Sequence, residues 1–227
     1  MSFWPATAAP GADSDYSPPM KTSKSFALIA ALCLPILAAS QAAAASPFKK
    51  TRGGLYHVSS GVIFPSRVGA FRFGGTHVYG SAGRDVGAQY NVVPVIRGDV
   101  YVYPLGTYAR DFNGELRVQQ NDIKRLNAAV KQVSQSRLQL NQAGRRVSGI
   151  RVQYELTRQL YGKKRRCGSQ LYLFRDGRWL FQYRFSYPIE QTGLAQKQMA
   201  DFLRLWQWRT QGMVTQLEPI SSDGRNS

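Results

Sequence analysis

Trp179, Phe181, Tyr183, Phe185 and Tyr187 fall on alternate positions of one stretch, with Leu180, Gln182, Arg184 and Ser186 between them. Side chains alternate across a strand, so five large rings on one face must be covered by another layer or left as a stacking surface. Burial is the expected outcome, because large aromatic area dominates core energetics and an exposed patch of this size promotes aggregation. The ladder follows residues 171–174 through Asp176-Gly177. A two-residue Asp-Gly loop selects a type I′ hairpin, which places Phe174 opposite Trp179 and Tyr172 opposite Phe181. Pro188 ends the strand, and Leu194, Gln198, Phe202, Leu205 and Trp206 then recur at helical spacing.

The same alternation occurs upstream. Phe71 and Phe73, then Val86, Ala88, Tyr90 and Val92, then Tyr101 and Tyr103 predict a three-stranded meander between Leu55 and Pro104, with glycines supplying the turns. Leu116, Ile123, Leu126, Val130, Val133 and Leu140 predict a helix over 113–143, with Asn113 as N-cap and Gly144 as the stop. Such a helix would be ~40 Å long. Its Leu116, Ile123 and Leu126 are the expected cover for the aromatic ladder. Strands resume at Ile150, Val152, Tyr154 and Leu156. The expected fold is therefore α+β, a largely antiparallel sheet of about six strands with two amphipathic helices in the order βββα-βββα. Tyr101-Val102-Tyr103-Pro104 before the first helix echoes Phe185-Ser186-Tyr187-Pro188 before the second, a hint of internal duplication. In this architecture, and in the aromatic strand ending in Tyr-Pro before an amphipathic helix, the chain resembles the Mog1/PsbP-like group of small extracytoplasmic proteins.

Targeting is written into residues 20–45. Lys21 and Lys24 form a positive segment, an apolar run extends from Phe26 to Ala39, and Ala43-Ala44-Ala45 gives a small-residue cleavage context. Ser40 and Gln41 keep the apolar run below the ~18 residues of a spanning helix, so cleavage is expected rather than an uncleaved anchor. Residues 1–19 are expected to lie upstream of the true start at Met20. Leu32 precedes Cys33 where a lipoprotein acceptor would follow a small residue, so lipidation is not expected. Cleavage removes two lysines and two aspartates, and the mature chain keeps the net charge of +17. Residues 46–54 read as a flexible basic arm, 55–212 as a single domain and 213–227 as a polar tail. The expected location is periplasmic or secreted.

Catalytic signatures are sparse. His57 and His77 lie twenty residues apart without the close helical pair or third ligand of a zinc site, so neither is given a chemical role and no metal or cofactor is expected. Asp85, Asp99 and Asp111 stand near strand ends, and a glycosidase needs two carboxyls only ~5 to 10 Å apart. An envelope-polymer hydrolase built on these groups is the alternative function. Cys167 is the single cysteine of the mature chain and follows Lys163, Lys164, Arg165 and Arg166. If it is exposed, those cations lower its pKa and raise its reactivity.

Positive charge is the strongest chemical signal. Between Arg145 and Arg184 there are eleven basic and two acidic residues, +9 of the total +17. If residues 150–161 and 169–174 pair, Lys163, Lys164, Arg165 and Arg166 crown the tip of a hairpin, and Arg145 and Arg146 lie at its far end. Such a field attracts anions in a salt-dependent way. The six residues are the candidate anion-binding set of a non-catalytic extracytoplasmic binding protein. Its partner would be anionic lipid head groups, acidic polysaccharide or an acidic protein. Nucleic acid is not expected for an exported chain.

Overall fold

The structure, a computed structural model, describes residues 46–126 and 129–208. The targeting segment and the polar tail lie outside the described residues. The protein is predominantly β, with 57% of the described residues in strands, so the α+β fold of six strands is corrected. A three-stranded sheet holds β1 (Phe48–Thr51), β2 (Gly54–His57) and β3 (Val62–Phe64). An eight-stranded sheet holds β4 (Arg67–Val68), β5 (Phe71–Tyr79), β6 (Asp85–Val92), β7 (Ile96–Pro104), β8 (Lys131–Gln142), β9 (Arg145–Leu160), β10 (Lys163–Asp176) and β11 (Trp179–Pro188). Its order is β4-β5-β6-β7-β11-β10-β9-β8, every pair antiparallel. Two meanders thus join where β7 meets β11. The helices are α1 (Phe112–Leu126) and α2 (Thr192–Leu205).

The aromatic ladder of β11 is core, as its size requires. Phe181, Tyr183 and Phe185 are at most 2% exposed. Its cover is α2 with the small sheet, through Met199, Phe202, Val62 and Phe64, and not the first helix. The chain beyond α2 completes this layer. Trp206 donates its indole N–H to the Ile63 carbonyl at 2.9 Å, and Trp208 stacks on Phe181. Leu116 and Ile123 of α1 pack instead on the opposite face, against Tyr103, Val152, Tyr154, Leu171, Leu173 and Leu180. One helix stripe cannot cover both faces, and β11 carries apolar residues on each: the rings on one side, Leu180 on the other. The echoed tetrapeptides follow suit. Tyr103 belongs to the α1 face and Phe185 and Tyr187 to the α2 face, whereas a duplication related by a twofold axis normal to the sheet would place both on one.

The first helix is half its expected length. Residues 131–142 form β8, in which Ser134, Ser136, Leu138 and Leu140 are half-buried, Gln142 is buried, and the residues between them are exposed. That is period two, hidden in the sequence because the inward positions are partly polar. Val133 stands at the bulge of the β8–β9 ladder and is 54% exposed, outside any stripe. The helix cap is Asp111 rather than Asn113: its Oδ1 accepts the Gly114 N–H at 2.7 Å.

The β10–β11 hairpin also departs by one step. Asp176 pairs with Trp179 and Phe174 with Phe181, so the loop is Gly177-Arg178. Only Gly177 has a positive φ, +61°, and a type I′ turn needs positive φ at both loop positions. Shifting the loop by one residue moves the register by two, and the rings stay on the same face. At the other end of the chain, residues 48–51 within the expected basic arm form β1. Phe48 explains it, packing at 5.4 Å from His57 and 6.0 Å from Phe64.

Candidate anion-binding site

The turns joining β8 to β9 and β10 to β11 lie at the same end of the large sheet, beside the N-terminus of α1. Strand parity aims Arg137 of β8, Arg146 and Ser148 of β9 and Arg175 of β10 to the α1 side there, because Arg137 pairs with Ile150 and Leu173 shares the α1 core. With Asn113 and Arg145 they line a groove of about 970 Å³. All four arginines are exposed. The positive end of the α1 dipole adds to their field.

Of the carboxylates at this end, Asp85, Glu115 and Asp176 are buried, and Asp111 is exposed but engaged by the helix. Asp111 caps the helix. Glu115 is fully buried, and its Oε1 accepts the N–H groups of Tyr108 and Ala109, each at 3.0 Å. Asp176 is 5% exposed, accepts the Trp208 indole N–H at 3.2 Å and lies 3.9 Å from Arg145. Asp85 accepts the Tyr108 hydroxyl at 2.5 Å. Asp111 aside, the outer surface is thereby left positive.

The six expected anion-binding residues stand at the two ends of the β9–β10 hairpin, as their pairing implies. Arg145 and Arg146 line the groove, but Lys163, Lys164, Arg165 and Arg166 open β10 at the other end of the hairpin, after the Tyr161-Gly162 turn. From Arg146 to the Arg158–Arg165 pair is twelve residues of β9, ~40 Å. Arg165 lies 3.8 Å from Glu190 and Arg166 lies 2.5 Å from Glu155, so half of this cluster has a carboxylate neighbour. Lys163 and Lys164 are exposed. Arg137 falls in a segment whose apolar spacing predicts helix, so only the observed strand places it here. Arg175 belongs to the basic stretch, and the hairpin register brings it to this groove.

The three aspartates of the hydrolase alternative do not pair. Asp85 and Asp99 share the α1 face of β6 and β7, but Asp99 pairs with Gln89, four residues and roughly 13 Å along β6 from Asp85. Asp111 is occupied as the helix cap. Burial raises the Asp85 carboxyl to about 6, opposed by the Tyr108 hydrogen bond and reinforced by the nearby Glu115 charge. Burial also raises Asp99, against the pull of Arg97, Arg158 and Arg184.

His57 is fully buried and structural. Its Nε2 donates to the Gly83 carbonyl at 2.8 Å, and Nδ1 is therefore left to accept the Ser60 hydroxyl at 2.7 Å. Burial lowers its pKa. His77 is exposed, 4.5 Å from the Tyr79 ring. Cys167 is completely buried, and burial raises its thiol above the ordinary range despite Arg158 and Arg165. The expected activation by its basic neighbours required exposure and does not arise. Among the described residues no three His, Cys, Asp or Glu side chains are grouped to hold a metal, and no helix is long and apolar enough to cross a membrane.

No family model matches this chain, and no curated protein matches it. Among solved structures it is similar to a Pseudomonas aeruginosa protein of unknown function described as a putative regulator. The identity is 9% and the TM-score 0.35, over 69% of this chain and 94% of that one.

Proposed function

We propose that this chain is an exported, non-catalytic protein that binds an anionic partner of the bacterial envelope through the arginine groove beside α1. One observation carries the reading: four exposed arginines line a single groove while Asp85, Glu115 and Asp176 at the same end are buried as hydrogen-bond acceptors and the exposed Asp111 is engaged as the helix cap. Arginine suits this task because its planar fork grips carboxylate and phosphate in two-point contacts. The apolar segment of residues 26–39 behind Lys21 and Lys24 supports export. Lys163 and Lys164 act as an outlying cationic patch that draws the molecule toward a charged surface without gripping it.

Co-sedimentation with lipopolysaccharide and with insoluble polygalacturonate tests the assignment. A variant with Arg137, Arg146 and Arg175 all replaced by Ser should lose most binding at low salt, whereas Lys163→Ser with Lys164→Ser should lose less. Equal binding by the arginine variant and the wild type would refute the groove.

A further inference from the structure

On the α1 face, the apolar cluster under the helix runs from β9 to β7, where Tyr103 belongs to it and Tyr101 packs at its edge, and leaves β5 and β6 outside. This open area is built around missing side chains. Gly87 is buried, and a Cβ there would meet the Tyr79 ring at 3.2 Å and the Tyr101 ring at 3.3 Å. The glycine thus lets two tyrosines from the flanking strands fold down across β6, their centroids 6.0 Å apart and both half-exposed. His77 extends the strip, exposed and 4.5 Å from Tyr79. Beside the rings Gly74 keeps the surface low: a Cβ there would meet Asn91 Nδ2 and Gln89 Cβ at 3.4 Å. Gln89 is exposed and Asn91 half-exposed. Across the ladder from them stand Asp99 and Arg97, 3.7 Å apart.

Rings lying low on a sheet, bordered by planar amide and guanidinium groups, match the chemistry of a pyranose. Such a sugar has an apolar C–H face that stacks on an aromatic ring, and hydroxyl pairs at its edge that need planar donors and acceptors. We propose that the β5–β7 face is a sugar-stacking subsite and that, together with the arginine groove, it selects an acidic polysaccharide. The second half of this statement rests on the groove reading; the first does not. From β6 to β9 is four inter-strand steps, about 19 Å, and Arg146 lies four residues, about 13 Å, along β9 from the row of Tyr101, so an oligosaccharide reaching both passes the N-terminus of α1.

Calorimetric titration of the mature chain with hexagalacturonate, neutral chitohexaose and a twelve-residue oligothymidylate separates the parts. Tyr79→Ala and Gln89→Ala should each weaken hexagalacturonate, the former tenfold or more, by a factor that is the same at low and high salt. Tyr79→Phe, which keeps the ring, should restore binding. Chitohexaose should bind weakly, lose that binding in Tyr79→Ala and be indifferent to the triple arginine variant. If both sugars bind wild type, Tyr79→Ala and Gln89→Ala alike, or if neither sugar binds wild type, the stacking subsite is overturned. Oligothymidylate binding as dependent on Tyr79 as that of the sugars would overturn the sugar assignment. Loss of hexagalacturonate in Tyr79→Ala with no effect of the arginine variant would remove the groove and leave the subsite standing.

Discussion

Trp208 stacks on Phe181 with ring centroids 4.3 Å apart and planes 14° from parallel. A residue beyond the last helix thereby closes the core over the central strand, and Asp176, accepting the Trp208 indole N–H, links that closure to the turn beside the arginine groove.

Phe181→Ala should therefore destabilise by about 3–5 kcal/mol, as removal of a buried aromatic does. Chemical denaturation measures it; a shift well under 1 kcal/mol would mean that the ladder is not core.

Cys167 should be inert in the folded protein. A thiol reagent at pH 8 should label it only after unfolding, since burial removes both access and thiolate. Rapid labelling of the native chain would contradict the packing described for β10.

Asp85 should give stability a distinctive pH dependence. Its folded pKa, about 6, lies above the ordinary carboxylate value, so between pH 4 and 6 the folded state holds a proton that the unfolded state has released. Stability then falls as pH rises through that window, by up to about 3 kcal/mol. The groups that set the shift besides burial are Tyr108, Glu115 and His77. Asp85→Asn keeps an acceptor for Tyr108 and cannot ionise, so its advantage over wild type should grow from pH 4 to pH 7. Parallel stability profiles for the two proteins would rule this out.

Export is testable without the folded domain. Glu placed at Ala31, inside the apolar segment, adds a charge costing about 2.5 kcal/mol or more at the translocation step. Full-length precursor should accumulate in the cytoplasm of cells expressing Ala31→Glu. Wild-type protein found in the cytoplasm would defeat the export proposal.

Legibility in the sequence followed the cleanness of each pattern. The ladder of β11 was plain because aromatic and non-aromatic residues alternate without a break, and the meander of β5–β7 because Gly80, Gly83 and Pro94 mark its turns. β8 was not, because serine and glutamine occupy inward positions, and the apolar residues remaining at 130, 133 and 140 happened to continue a helical spacing. The basic stretch was legible as charge, and so was its division between the two ends of a hairpin, but the joining of Arg137 and Arg175 to the Arg145–Arg146 end required the observed strands and register. Which carboxylates turn inward could not be read at all, since Asp176 meets Trp208 and Asp85 meets Tyr108 only through tertiary contacts.

The groove itself is tested most directly by the salt dependence of hexagalacturonate affinity. Removing Arg137, Arg146 and Arg175 together should lower the slope of log affinity against log salt by up to about three, roughly one for each lost two-point contact. The wild-type advantage should shrink as the Debye length falls from ~10 Å at 0.1 M salt toward ~3 Å at 1 M. A slope unchanged in the triple variant, but lowered when Lys163 and Lys164 are replaced by Ser, would contradict the groove and place the anion at the far end of the hairpin.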